Sequence, residues 1–287
     1  MKIAATATTL LVLGILVTGC SDGSTGNACA AKTGAAGTRV ITLTSGGIER
    51  SFQLDVPGSA LQGQPVPLLV VFHGVLSNGA QFQTVTGFPQ KAAEEGFITA
   101  AGDGIGQSWN AGVCCNPAQA ENIDDVGFTR DMVAAIESEY CVDTARVYAA
   151  GFSNGSAMVF RLACEAADLF AAFSPVSGSL ALFPCQPSQP RPIQILNNVP
   201  DPVVSFKLGQ FSYGEFLKYN ACTDARQTVE LSPTASCEIA PDCADGATTE
   251  FCAVQNVGHF WPGGTTNPAG QFGATDAVWD FLSGFSS

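Results

Sequence analysis

Residues 67–74 read PLLVVFHG: apolar at every position until His73, then broken by a glycine. A strand of this kind has no polar face to turn to water, so it belongs inside a sheet covered on both sides. The same style recurs at 97–104 (FITAAGDG), 146–153 (RVYAAGFS), 170–178 (FAAFSPVSG) and 192–200 (PIQILNNVP), with a late strand and turn over 248–264. Helical patterns lie between these runs. Residues 124–140 carry Val126, Met132, Val133 and Ile136 at helical spacing behind two aspartates, 154–167 read as a buried helix, and 274–285 as a closing one. Residues 38–44 and 50–56 instead alternate apolar and polar, as an antiparallel pair at a sheet edge does. Buried strands alternating with helices predict an α/β fold, a mainly parallel sheet with helices on both faces. In such a sheet a ligand binds beyond the carboxyl ends of the strands.

The start of the chain reads as a leader rather than as part of that fold. Lys2 precedes an uncharged, mostly apolar run from Ile3 to Val17, too short for a spanning helix and suited to a secretory signal. Val17-Thr18-Gly19-Cys20 resembles a bacterial lipobox, so residues 1–19 are expected to be removed and Cys20 acylated, anchoring the protein to a membrane. Residues 20–37 then read as a flexible tether, and 38–287 as one domain. With 46% hydrophobic and 13% charged residues, that domain has the material for a large core. The chain ends just after the closing helix, so no appended polymer-binding module is expected.

Of the eleven cysteines, setting Cys20 aside leaves ten, an even set of the kind exported chains use as disulfides. Spacing alone leaves the pairing open, including that of Cys29, Cys114, Cys115, Cys141, Cys237 and Cys252. The adjacent Cys114 and Cys115 either bridge each other or take different partners; different partners are expected. With two histidines and no C-x-x-C pair, no metal site is expected, and no other cofactor. The net charge of −13 argues against nucleic acid, whose phosphates require Lys and Arg, and favours neutral substrates.

At Gly151-Phe152-Ser153-Asn154-Gly155, a G-x-S-x-G pentapeptide falls where one of the buried strands gives way to a helix. That is the setting of a nucleophile elbow, which exposes the serine hydroxyl in the cleft and aims the following amide, that of Asn154, at developing negative charge. Serine needs a base. The candidates are His73 and His259, and the hydrolase chain order of serine, acid, histidine selects His259. His73 is then structural, supporting a loop whose Val75 N–H is the second expected oxyanion donor. The acid should fall between Ser153 and His259. Asp201 follows a buried strand on a Pro-flanked turn, whereas Asp224, Asp242 and Asp245 do not. Trp109, Phe152, Phe260 and Trp261 are candidates for a wall that holds an aromatic acyl group.

Together, PLLVVFHG, SWNAGVCC, DDVGF, CVDTARVYAAGFSNGSAM, DPVV and GHFWPGG resemble the secreted feruloyl esterases and polyhydroxybutyrate-depolymerase-like esterases, over residues 38–285. The resemblance implies an α/β-hydrolase fold and a triad of Ser153, Asp201 and His259. It also implies bridges Cys164–Cys185 and Cys222–Cys243. One departure stands out: where the family has a His-Gly-Thr-like segment before the aspartate, this chain has Asn197-Asn198-Val199-Pro200. The expected activity is hydrolysis of feruloyl-type or similar esters of plant polysaccharide. Hydroxybutyrate polymer or oligomer hydrolysis and acetyl xylan ester hydrolysis are the alternatives. A surface lipoprotein that keeps the fold only to bind is the non-enzymatic reading.

Overall fold

A computed structural model describes residues 29–267 and 272–287. The expected leader and the lipidated Cys20 lie outside these residues. Ten strands form one sheet: β1 (Gly37–Ser45), β2 (Ile48–Val56), β3 (Val66–Phe72), β4 (Ile98–Gly102), β5 (Val142–Phe152), β6 (Ala172–Val176), β7 (Ile193–Asn198), β8 (Gln227–Ser232), β9 (Ala235–Ala240) and β10 (Thr249–Val254), in the order β1-β2-β4-β3-β5-β6-β7-β10-β9-β8. The six inner strands, β4 to β10, run parallel. An antiparallel pair closes each end, β1–β2 on one side and β9–β8 on the other.

The inner strands are buried on both faces, as their unbroken apolar runs require. In β3, Leu68, Val70 and Phe72 point into one core while Leu69 and Val71 point into the other. Helices α3 (Asp125–Glu139), α4 (Asn154–Glu165) and α5 (Phe206–Tyr219) cover the first face through residues such as Phe128, Met132, Phe160 and Phe216. Helices α1 (Gly79–Thr86), α2 (Phe88–Glu95) and α6 (Ala274–Leu282) cover the second, where the Trp279 ring stacks on Phe97 at 3.6 Å. Among the described residues no helix is long and apolar enough to cross a membrane.

Disulfides add covalent ties, two of them between cysteines buried in the cores. Cys164 is bonded to Cys185, Cys222 to Cys243 and Cys237 to Cys252, the last two around the β8–β10 edge. Cys29 is bonded to Cys141, and the Gly34 N–H donates to Glu139 O. The tether expected to run to residue 37 is therefore already fixed to the domain at Cys29. A second correction concerns Cys114 and Cys115, which are bonded to each other and not to separate partners. The physical reason is allocation: each of the other eight described cysteines closes a bridge elsewhere, and none is left for this pair. Five such bridges mark a chain that matures in an oxidising, extracytoplasmic compartment.

Candidate active site

The turn between β5 and α4 explains the two glycines around Ser153. A Cβ on Gly155 would lie 2.0 Å from the Phe72 carbonyl oxygen, and one on Gly151 would lie 2.5 Å from the oxygen of Gly155. Only hydrogen fits where these backbones cross. Ser153 itself sits at φ 57°, ψ −119°, a region side-chain-bearing residues rarely adopt. Its N–H donates to Val176 O at 3.0 Å, which ties the turn to the neighbouring strand β6.

Three strand ends deliver three side chains to one point. Ser153 follows β5, Asp201 follows β7 and His259 follows β10, and β7 and β10 are parallel neighbours. The Ser153 hydroxyl lies 2.9 Å from His259 Nε2, and His259 Nδ1 lies 2.7 Å from Asp201 Oδ2. The network assigns the proton to Nδ1, where it donates to the carboxylate, and leaves Nε2 to accept from the serine. The other Asp201 oxygen accepts from the N–H groups of Val203 and Val204 at 2.8 and 2.9 Å. That carboxylate is wholly enclosed, whereas the imidazole keeps 18% of its side-chain surface exposed.

His73 is placed quite differently. It is completely buried, with Nδ1 2.7 Å from Gly74 O and Nε2 accepting the Gly104 N–H at 3.0 Å. Burial holds its pKa below the ordinary imidazole value. It thereby fixes the loop after β3, which passes close over the nucleophile: a Cβ on Gly74 would lie 3.2 Å from Ser153 Cβ. Val75 follows on that loop, and among the described residues its amide has no protein acceptor. The Asn154 amide opens α4, where first-turn N–H groups lack intrahelical acceptors. The Asn154 side chain does something its position in the motif does not announce. Its Oδ1 accepts from Trp109 N at 2.7 Å and its Nδ2 donates to Trp109 O at 3.0 Å, pinning the loop after β4. Asp125 holds the same loop from outside, accepting from Asn110 N while paired at 2.7 Å with buried Arg50.

The four candidate wall aromatics divide. Phe152, Phe260 and Trp261 line a cavity of about 170 Å³ that also touches Val75, Phe82 and His259. The Phe152 ring lies 4.8 Å from the imidazole, and Phe260 is half exposed at the rim. Trp109 is excluded. It is fully buried, edge-on to Phe72, and its indole N–H donates to His73 O at 2.9 Å, so it packs under the loop rather than facing a ligand. A larger cavity of about 410 Å³ lies between the β8–β10 edge and α6 and contains none of these side chains.

No family model matches the chain. Among curated proteins it is similar to feruloyl esterase B of Piromyces equi, 30% identical over 254 residues, 80% of this chain and 44% of that protein. It thus spans less than half the length of that relative. Feruloyl esterase C of Emericella nidulans is 26% identical over 84% of this chain and 87% of its own length. Among solved structures, an acetyl xylan esterase from Aspergillus awamori superposes with a TM-score of 0.66 at 15% identity, over 85% of this chain and 99% of that one. At that identity the structural likeness is one of fold, and the fold is the α/β-hydrolase. The resemblance to feruloyl esterases read from the motifs is borne out by these relatives.

Proposed function

We propose that this chain, an α/β-hydrolase homologous to feruloyl esterases, is an extracytoplasmic serine carboxylesterase that cleaves feruloyl-type esters of plant polysaccharide. The observation that carries the reading is the unbroken hydrogen-bond chain from Ser153 through His259 to Asp201, opening beside an aromatic-walled cavity. In this mechanism Asp201 holds the imidazole in the tautomer that leaves Nε2 free to accept. His259 takes the Ser153 proton as Oγ attacks the ester carbonyl. The carbonyl oxygen becomes an anion in front of the Asn154 and Val75 amides, which meet it already oriented. The intermediate collapses, His259 returns the proton to the departing alcohol, and water activated by the same imidazole releases the acid. The cavity beside His259 offers Phe152 and Phe260 to a planar acyl group, with Trp261 buried behind them against Phe82 and Phe88.

Ser153→Ala tests the whole reading. It should leave the melting temperature nearly unchanged and lower methyl ferulate hydrolysis by about 10⁴–10⁶. Retention of a tenth of the activity would remove Ser153 from the mechanism. A panel of methyl ferulate, acetylated xylan and hydroxybutyrate oligomers reports the acyl preference; faster turnover of either of the last two would replace the feruloyl assignment. We further propose that acylated Cys20 anchors the enzyme to a membrane, followed by a short tether that ends at the Cys29–Cys141 bridge. Cys20→Ser should free the enzyme from the membrane fraction without changing its specific activity.

A further inference from the structure

The two halves of the His259–Asp201 pair stand on separate loops, and each loop hangs from the end of its own strand. One buried side chain joins them. Asn198 is the last residue of β7, three positions before Asp201, and is completely buried. It does not hydrogen-bond the acid. Instead its Nδ2 reaches across to the loop after β10 and donates to Gly258 O at 2.7 Å and to Phe260 O at 2.9 Å. These carbonyls flank His259 on both sides. The strand that carries the acid therefore grips the backbone of the base through both amide hydrogens of one residue. Gly258 beside it sits at φ 72°, so the backbone makes a turn there that the strand ladder does not continue. Among the described residues no other side chain donates to these two carbonyls. Imidazole orientation otherwise rests on contacts to the ring: Asp201 at Nδ1, Ser153 at Nε2 and the Phe152 face.

We infer that Asn198 is a positioning residue, whose two hydrogen bonds to Gly258 and Phe260 fix the His259 backbone so that the imidazole stays aligned between Asp201 and Ser153. The requirement is chemically narrow. Two N–H donors must leave one short side chain and meet two carbonyl oxygens. Aspartate has the same shape but presents oxygen to oxygen, and glycine and serine supply no donor or one. Glutamine is a methylene longer than a side chain that is completely enclosed. The stretch Asn197–Pro200 is also where the chain departs from the motif its family resemblance implies.

The inference rests on the triad assignment proposed above, and its test separates the two. Asn198→Gly, Asn198→Asp and Asn198→Ser are compared with wild type on a p-nitrophenyl ester, with active sites counted by the burst of nitrophenol. Per titrated site, kcat should fall by about 10- to 100-fold in Asn198→Gly and more in Asn198→Asp, with KM changed less than threefold, since misplacing a catalytic group by an ångström costs on that scale. Asn198→Ser, with one donor, should fall between. The low-field proton resonance of the His259 Nδ1–H bond to Asp201 should broaden or vanish in Asn198→Gly while the melting temperature still shows a folded protein. Wild-type kcat per titrated site in Asn198→Gly, or a resonance unchanged from wild type, overturns the inference. If Asn198→Gly and Asn198→Asp fail to fold, the same two readings on Asn198→Ser decide it. Activity surviving in Ser153→Ala would instead overturn the triad, and leaves a different signature from any Asn198 result.

Discussion

The chain's two histidines follow buried strands of the same sheet and end in opposite circumstances. His73, after β3, is sealed in, and both its ring nitrogens are used by main-chain groups, the oxygen of Gly74 and the N–H of Gly104. His259, after β10, is partly open, and both its nitrogens face side chains that exchange or hold a proton, Asp201 and Ser153. The same imidazole is a strut in one loop and a proton carrier in the other. Backbone partners cannot take up or release a proton at neutral pH, so a histidine wholly engaged by them fixes geometry and nothing more. A hydroxyl on one side and a carboxylate on the other make the ring a relay.

The largest effect is expected at His259. His259→Gln should lower kcat on an activated ester by about 10⁴–10⁶ with the thermal transition intact, because the ring stands partly exposed at the cleft. If His73→Gln caused the greater loss per folded molecule, the two roles would be reversed. Asp201→Asn comes next, with kcat down by about 10⁴ through the wrong tautomer and substrate binding kept. Its own enclosed position and its two backbone N–H donors make some loss of stability part of the same experiment, read separately by urea unfolding.

The smallest effect is expected at His73. His73→Gln should cost about 1–3 kcal/mol of stability, by leaving buried partners unmatched, and reduce activity far less than His259→Gln. The pH dependence of that stability has a definite sign. Burial lowers the His73 pKa in the folded state, so the unfolded chain takes up its proton first as pH falls. The stability contributed by neutral His73 is therefore complete above about pH 6.5, the ordinary imidazole value, and is lost progressively below it. Subtracting the melting-temperature profile of His73→Gln from that of wild type isolates this loss from the titrating carboxylates. A difference that stays flat between pH 7 and pH 4 would mean that His73 is not held neutral by burial.

Much of this arrangement is legible in the chain itself. Each short apolar run bounded by a turn reads as an inner strand, and such runs with helical patterns between them leave few topologies other than a parallel sheet. Placing the serine at a strand-helix junction, and the acid and base after later inner strands, follows from the same reading. Residues 79–95 and 206–219 are less readable. The first stretch splits into two eight-residue helices at Gly87, and α5 carries Gly209 and Gly214 within its span. Strand β8 is almost wholly exposed, so it lacks the apolar pattern that marks the inner strands.

The features that can be read along the chain are local: which segments must be buried, where the backbone can turn only through glycine, and which residue types stand at strand ends. Everything that depends on distance through space is set only by the packed fold. That packing brings His259 to Ser153 across 106 positions of chain, turns Trp109 inward beneath His73, closes Cys114 on its neighbour and lays the Asn198 amide across to the base's own loop. Periodicity reports which face of an element is buried. It carries no information on what that face meets, because the partner is chosen by the packing of the whole sheet and by the geometry of strand ends that are neighbours only once the chain has folded.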